Sequence, residues 1–137
     1  MIIDKNNYPE EVISATTLLL SITKVDDNID NIEITMIKDI IEDFFEISSK
    51  EIPTIIQIGF NNLEKSTDLY EFGKTLNNNF TYQDKIDFIC CAFEVAYADK
   101  NLHYLEEHLI KKISFILSVE HEDLIASKNE IKNYLIN

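Results

Sequence analysis

Apolar residues recur along this chain at intervals of three and four, the spacing that places side chains on one face of an α-helix. Seven such segments are separated by polar residues, so the pattern predicts seven helices and no sheet. The chain has only two Gly and two Pro, which also favours helices over a sheet with many turns. Because 137 residues is the length of one domain, we expect a single all-α domain over residues 1–137.

The apolar stripes predict which helix faces are buried. We expect the fifth and sixth helices to form the centre of the domain, because their stripes are the densest. The predicted buried positions are Ile32, Met36, Ile37, Ile40 and Phe44 in the second helix, Ile86, Ile89, Cys90, Phe93, Ala96 and Tyr97 in the fifth, and Leu105, Leu109, Ile113 and Ile116 or Leu117 in the sixth.

Polar residues that suit helix starts predict the boundaries of these helices. Thr81 with Asp84, and Ser48 with Glu51, have the spacing of a capping box and are expected to open the fifth and third helices. A short fourth helix should begin at Asp68 and end near residue 76, before a polar turn formed by three consecutive Asn residues.

Two acidic segments share one pattern. Residues 25–33 and 98–106, which are 73 positions apart, both read small apolar residue, Asp, any residue, Asn, Ile or Leu, two further residues, Ile or Leu, and Glu. Apolar matches continue at the same offset into the helices on either side. The sequence therefore predicts two repeated three-helix units, about residues 10–62 and 82–134, which the short fourth helix joins and an approximate two-fold axis relates.

Four segments resemble the TerB (tellurite-resistance protein B) family, and the resemblance covers nearly the whole chain. The family's hallmark loop is Ala-Asp-Gly-x-Ile with a later Glu; here Ala98 and Asp99 match it, and Lys100 stands in place of the Gly. The resemblance implies an all-helical bacterial domain associated with tellurite resistance and wider stress response, like uncharacterised proteins that carry a TerB domain. The matching segments are Asp68-Leu69-Tyr70-Glu71-Phe72, Phe93-Glu94-Val95-Ala96-Tyr97-Ala98-Asp99, Leu105-Glu106-Glu107-His108-Leu109-Ile110 and His121-Glu122-Asp123-Leu124-Ile125-Ala126-Ser127-Lys128.

The charge of the chain limits its partners. A formal net charge of −13 repels nucleic-acid phosphates and anionic lipid, so neither is an expected partner. No apolar streak in the sequence is long enough to insert into a membrane. We expect an unknown protein partner, either basic or membrane-associated, and a homodimer is left open.

The first acidic segment begins like a calcium loop, with Asp26, Asn28 and Asp30 at alternate positions. An EF-hand then needs Gly at the sixth position and Glu at the twelfth, and Asn31 and Ile37 stand there instead, so an EF-hand is rejected.

A looser divalent-cation site is left open beside simple helix capping. Its candidate ligands are Asp26, Asp30 and Glu33 in the first copy, and Asp99 and Glu106 in the second. Asp26 and Asp99 each follow a helix, where the helix dipole disfavours a carboxylate. We therefore expect each to accept hydrogen bonds from the N–H groups that begin the next helix.

The sequence contains no recognisable motif for catalysis or cofactor binding, so no catalytic residue or cofactor is assigned. The three His residues do not have zinc-site spacing, and no phosphate-binding Gly loop or nucleophile elbow is present. Cys90 and Cys91 are adjacent, which is poor geometry for a disulfide, so we expect buried, reduced thiols and a cytoplasmic location. Two hypotheses remain: a non-enzymatic acidic interaction module, and a cation-binding protein that uses the paired acidic loops.

Overall fold

The computed structural model describes residues 8–24, 31–66 and 68–136. Within these ranges the chain forms seven helices and no strand, which confirms the predicted all-α fold. The helices are α1 (Glu10–Lys24), α2 (Asn31–Phe45), α3 (Ile52–Lys65), α4 (Tyr70–Asn79), α5 (Tyr82–Ala96), α6 (Tyr104–Ile116) and α7 (His121–Ile136).

α1 is the most deeply buried helix. Every residue from Val12 to Thr23 is buried, and α1 contacts five other helices, from α2 to α6. Four of its buried hydroxyls donate to carbonyls of the preceding turn, as Thr16 Oγ1 does to Val12 O at 2.8 Å, so these four are satisfied within the core. The centre of the domain is therefore α1 with α5. The prediction that α6 shares the centre with α5 is wrong, because apolar spacing alone undervalued the Thr and Ser positions of α1.

The buried faces of α2 and α6 differ in part from the predicted stripes. Leu105 is 43% exposed and Ile32 is 55% exposed, whereas Glu106 and Glu33, one position later, are buried. In both helices a glutamate in the first turn faces inward, which rotates the buried face away from the apolar stripe at that end. The remaining buried positions are Ile37, Ile40 and Ile41 in α2 and Ile110, Ile113 and Ser114 in α6.

The helix contacts of the two halves correspond. α1 contacts α2 and α3, as α5 contacts α6 and α7; α1 also contacts α6, as α5 contacts α2. Buried residues match at the 73-residue offset, for example Ile37 with Ile110 and Ile40 with Ile113. These contacts support the repeat, and the two-fold axis stays a prediction that a superposition of the two helix triples would test.

α2 and α6 also end in the same way. Glu46 and Ser118 follow them with positive φ values of 53° and 57°. The N–H of Ile47 then donates to Glu42 O at 3.2 Å, and that of Val119 donates to Ser114 O at 3.0 Å. Both bonds span five residues, the pattern of a Schellman cap.

α4 lies against α1 and α6. Gly73 packs against the side chain of Ile116, and Asn77 Nδ2 donates to the carbonyl of Ile116 at 2.8 Å. A Cβ at position 73 would meet the Ile116 side chain, so the Gly permits this close approach. The predicted polar turn at residues 77–79 is wrong, because α4 continues to Asn79 and the Asn77 side chain is used in helix packing.

One of the two predicted capping boxes forms. Thr81 Oγ1 accepts from the N–H of Asp84 at 3.1 Å, and Asp84 Oδ2 accepts from the N–H of Thr81 at 3.0 Å. The Ser48 box is wrong: α3 begins at Ile52, and its N-cap residue Glu51 makes no side-chain capping bond. Pro53 explains the shift, because proline fits the first helical turn, where its missing N–H has no partner in the helix.

Thr81→Ala should lower the free energy of unfolding by about 0.5–2 kcal/mol, because it removes a helix cap. Ser48→Ala is the matched control and should change it by less than about 0.5 kcal/mol, since Ser48 does not cap α3. Urea denaturation measures both. Equal losses in the two variants would contradict this assignment of the caps.

Candidate functional site

The loop between α5 and α6 makes a tight turn after Ala96. The N–H of Tyr97 donates to Phe93 O at 2.8 Å, and the N–H of Lys100 donates to Tyr97 O at 2.7 Å. Lys100 has a φ of 69°, in the left-handed region that glycine adopts most easily. The loop therefore has a glycine-type backbone conformation at a lysine.

Asp99 organises this loop through both carboxylate oxygens. Oδ1 accepts from the backbone N–H of Asn101 at 3.0 Å, and Oδ2 lies 3.1 Å from His103 Nε2. Asp99 therefore accepts a backbone hydrogen bond, as predicted. The predicted donor was wrong, because Asn101 lies in the loop and α6 begins only at Tyr104.

His103, one of the three His residues without zinc-site spacing, belongs to this site. It is the N-cap residue of α6, and its Nε2 lies 4.0 Å from Glu106 Oε1 as well as beside Asp99. The four-residue spacing of Asp99 and His103 was the available signal. The structure thus brings together two of the candidate carboxylates, Asp99 and Glu106, around one imidazole.

The candidate carboxylates differ in burial. Asp99 is exposed, whereas Glu106 is 2% and Glu33 is 7% exposed. Both glutamates lie in the first turn of a helix, where backbone N–H groups favour negative charge. Asp26 and Asp30 lie outside the described residues.

In the part of the chain that the structure describes, no three His, Cys, Asp or Glu side chains are arranged to hold a metal ion. The cation hypothesis therefore stays a prediction that depends on a measurement. Within the same residues, no helix is both long enough and apolar enough to cross a membrane.

The two thiols are half-buried, where full burial was expected, and they are free. Burial raises the pKa of both, that of Cys91 to about 12. The thiolate is the nucleophilic form of cysteine, so at neutral pH almost all of Cys91 is in the unreactive form.

Comparison with known proteins places the whole helical core in one family. A family model described as "Tellurite resistance protein TerB" matches residues 12–129, from the start of α1 into α7. The chain belongs to the TerB family. No curated protein and no solved structure matches it. The TerB match confirms the resemblance and includes both acidic loops and α4.

Lys100→Gly should raise the free energy of unfolding of this TerB domain by about 0.5–1 kcal/mol. The left-handed conformation costs a residue with a Cβ roughly 1–2 kcal/mol, and the greater flexibility of unfolded glycine offsets part of the gain. Lys111→Gly is the control: it lies within α6, is exposed, and should cost about 1 kcal/mol. Thermal and urea unfolding measure both, and a loss for Lys100→Gly would show that the lysine makes a stabilising contact.

Proposed function

We propose that this TerB domain is a non-enzymatic, acidic interaction module that docks a protein partner in tellurite resistance or the wider stress response. The observation that supports it best is the exposure of two aromatic side chains on α6. Tyr104 is 80% and Phe115 is 85% exposed. Tyrosine and phenylalanine are enriched in protein interfaces, where they bury a large area at little entropic cost.

The two rings lie on one face of the helix. Tyr104, His108, Lys111 and Phe115, which we call the outer face of α6, are separated by four, three and four residues and are all exposed. The aromatic residues therefore stand at the two ends of a surface about 16 Å long. Two anchors at this separation suit a partner that lies along the helix.

The charge and the cysteines support two further parts of the proposal. A net charge of −13 favours a protein partner over nucleic acid, because the domain would repel phosphates. Free thiols at Cys90 and Cys91 agree with a reducing compartment, so we place the module in the cytoplasm.

The test is cross-linking of the tagged domain in its native host, followed by mass spectrometry. We expect a partner that is recovered with the wild type and lost with the double variant Tyr104→Ser/Phe115→Ser, and the variant strain should lose growth on tellurite. Tyr134→Ser is the control, because Tyr134 is also 80% exposed but lies on α7. Circular dichroism checks that each variant is folded. Recovery of the same proteins with the double variant would overturn the proposal.

Cation binding by the acidic loops is the second candidate, favoured by the approach of Asp99 and Glu106 to His103. If it is correct, Ca²⁺, Mg²⁺ or Zn²⁺ should raise the melting temperature relative to EDTA, by the equivalent of about 2.7 kcal/mol at a hundred times the dissociation constant. Asp99→Asn should abolish the rise, whereas Asp68→Asn, in the exposed segment before α4, should preserve it. No rise with any of the three cations at millimolar concentration would reject cation binding.

A further inference from the structure

A second surface lies between α2 and α5. Helices α2 and α5 border a groove with a volume of about 430 Å³. We call it the α2–α5 groove; it is lined by Met36, Asp39, Ile40, Asp43 and Phe44 from α2 and by Cys91 and Glu94 from α5. A shallower extension along α2 passes Ile32 and Thr35 and shares Met36 and Asp39 with the groove.

The groove exists because α2 has more apolar surface than the core covers. Ile37 and Ile40 of the predicted stripe are buried. Met36 and Phe44 are half-buried, and Ile32 is 55% exposed. Ile32, Met36, Ile40 and Phe44 recur every four positions, so they form an apolar strip about 18 Å long.

The corresponding place in the other half of the domain is covered by a helix. Under the repeat, α2 and α5 correspond to α6 and α1, and α4 packs against both α6 and α1. At the 73-residue offset, Asp43 of the groove corresponds to Ile116, against which Gly73 of α4 packs. Among the described residues, no helix other than α1 makes extensive contacts with both α2 and α5, so the groove is open where α4 covers the other half.

The rim of the groove is acidic, whereas the equivalent positions in the other half of the domain are not. Asp39 and Asp43 are exposed and Glu94 is half-buried. The residues at the equivalent positions of the other half are Lys112, Ile116 and Ser21, none of which is acidic. Burial raises the pKa of Glu94, because its charged form loses hydration, and a neighbouring cation would offset that cost.

We propose that the α2–α5 groove binds a basic amphipathic helix of a partner protein. Apolar side chains of that helix pack on Met36, Ile40 and Phe44, and its Lys or Arg side chains pair with Asp39, Asp43 and Glu94. The ten residues of α4 indicate the length of helix that such a seat accepts. This inference rests on the interaction role proposed above but concerns a different surface.

The acidic rim of the α2–α5 groove favours one kind of ligand over the others. A helix with an apolar stripe and basic flanks matches both features of the groove, in the mode by which amphipathic helices bind apolar grooves. Anionic lipid and nucleic acid would be repelled by the three rim carboxylates and by the net charge of −13. A second copy of the chain brings the same negative charge, so it is the less suitable occupant and becomes an outcome of the test.

The probe is a synthetic fluorescein-labelled peptide with Leu at positions i, i+3, i+4 and i+7 and Lys at the flanking positions. Fluorescence anisotropy should show saturable binding to the full chain. A peptide with the same composition in scrambled order should bind at least about tenfold more weakly, because it keeps the charge and loses the apolar stripe. Raising the ionic strength should weaken binding of the amphipathic peptide.

Variants of the domain localise the site. Asp39→Asn/Asp43→Asn should weaken binding at least about tenfold, and Met36→Gln should weaken it without any change in net charge. Glu64→Gln/Glu122→Gln is the control for charge, because both residues are exposed and lie on α3 and α7. Equal weakening by the control pair, or equal binding of the scrambled peptide, would overturn the proposal by showing general charge attraction.

Two further results separate this inference from the proposed function. Analytical ultracentrifugation of the wild type and of Asp39→Asn/Asp43→Asn tests for a second copy; a wild-type dimer that the variant dissociates would overturn the inference. Tyr104→Ser/Phe115→Ser should bind the peptide as well as the wild type does. If the peptide fails to bind while the outer face of α6 still captures its partner, the groove proposal fails and the interaction role stands.

Discussion

Phe93→Ala should lower the free energy of unfolding by about 3–5 kcal/mol. Phe93 is 1% exposed in α5, and its ring lies 6.5 Å from that of Tyr97. Truncation would remove the buried ring and leave a cavity that rigid helices fill only in part. Urea denaturation of the purified variant measures the loss.

Phe115→Ala is the matched control, because it removes the same side chain from a position that is 85% exposed. It should change the free energy of unfolding by less than about 0.5 kcal/mol. Similar losses for the two phenylalanines would mean that α5 is not at the centre of the fold.

Gly59→Val should lower the free energy of unfolding by about 2–3 kcal/mol, because α1 and α3 approach too closely for a side chain at this position. A Cβ on Gly59 would lie 2.7 Å from Leu20 Cδ1 and 3.2 Å from Thr16 Cγ2. Valine also adds two methyl groups that the packed interface cannot accommodate without movement of a helix. Chemical unfolding measures the effect.

Two comparisons separate overpacking from helix propensity. Gln57→Val introduces the same residue at an exposed position of α3 and should cost about 0.5 kcal/mol or less. Leu20→Ala removes the atom nearest to the new side chain, so Gly59→Val should cost less in that background. If Gly59→Val costs as much with alanine at position 20, the clash does not explain the loss.

The sequence predicted the fold because helical periodicity and helix caps act locally. The Thr81 cap and the buried Ile37 and Ile113 followed from spacing alone. The inward-facing Glu33 and Glu106 did not, because a carboxylate does not contribute to an apolar stripe even where the fold buries it. The buried Thr and Ser residues of α1 likewise do not contribute to an apolar stripe, so the sequence did not predict that α1 lies at the centre.

The candidate site was predicted less completely than the fold. Asp99 and Glu106 were named from the repeated loop, and the structure brings both to His103. The role of His103 depends on the left-handed turn at Lys100, for which the available sequence signal was the Gly at this place in the family's hallmark loop. The α2–α5 groove was also beyond prediction, since excess apolar surface on α2 is recognisable only once the core is known.

The position of α4 limits how many amphipathic helices can bind at the two corresponding places, between α2 and α5 and between α1 and α6. A fold with two corresponding seams would offer two equivalent docking places, and a ligand would then fill them in a 2:1 ratio. The place between α1 and α6 is already occupied by α4, whose Gly73 and Asn77 contact Ile116 of α6. Titration calorimetry with the amphipathic peptide should therefore give a stoichiometry of one.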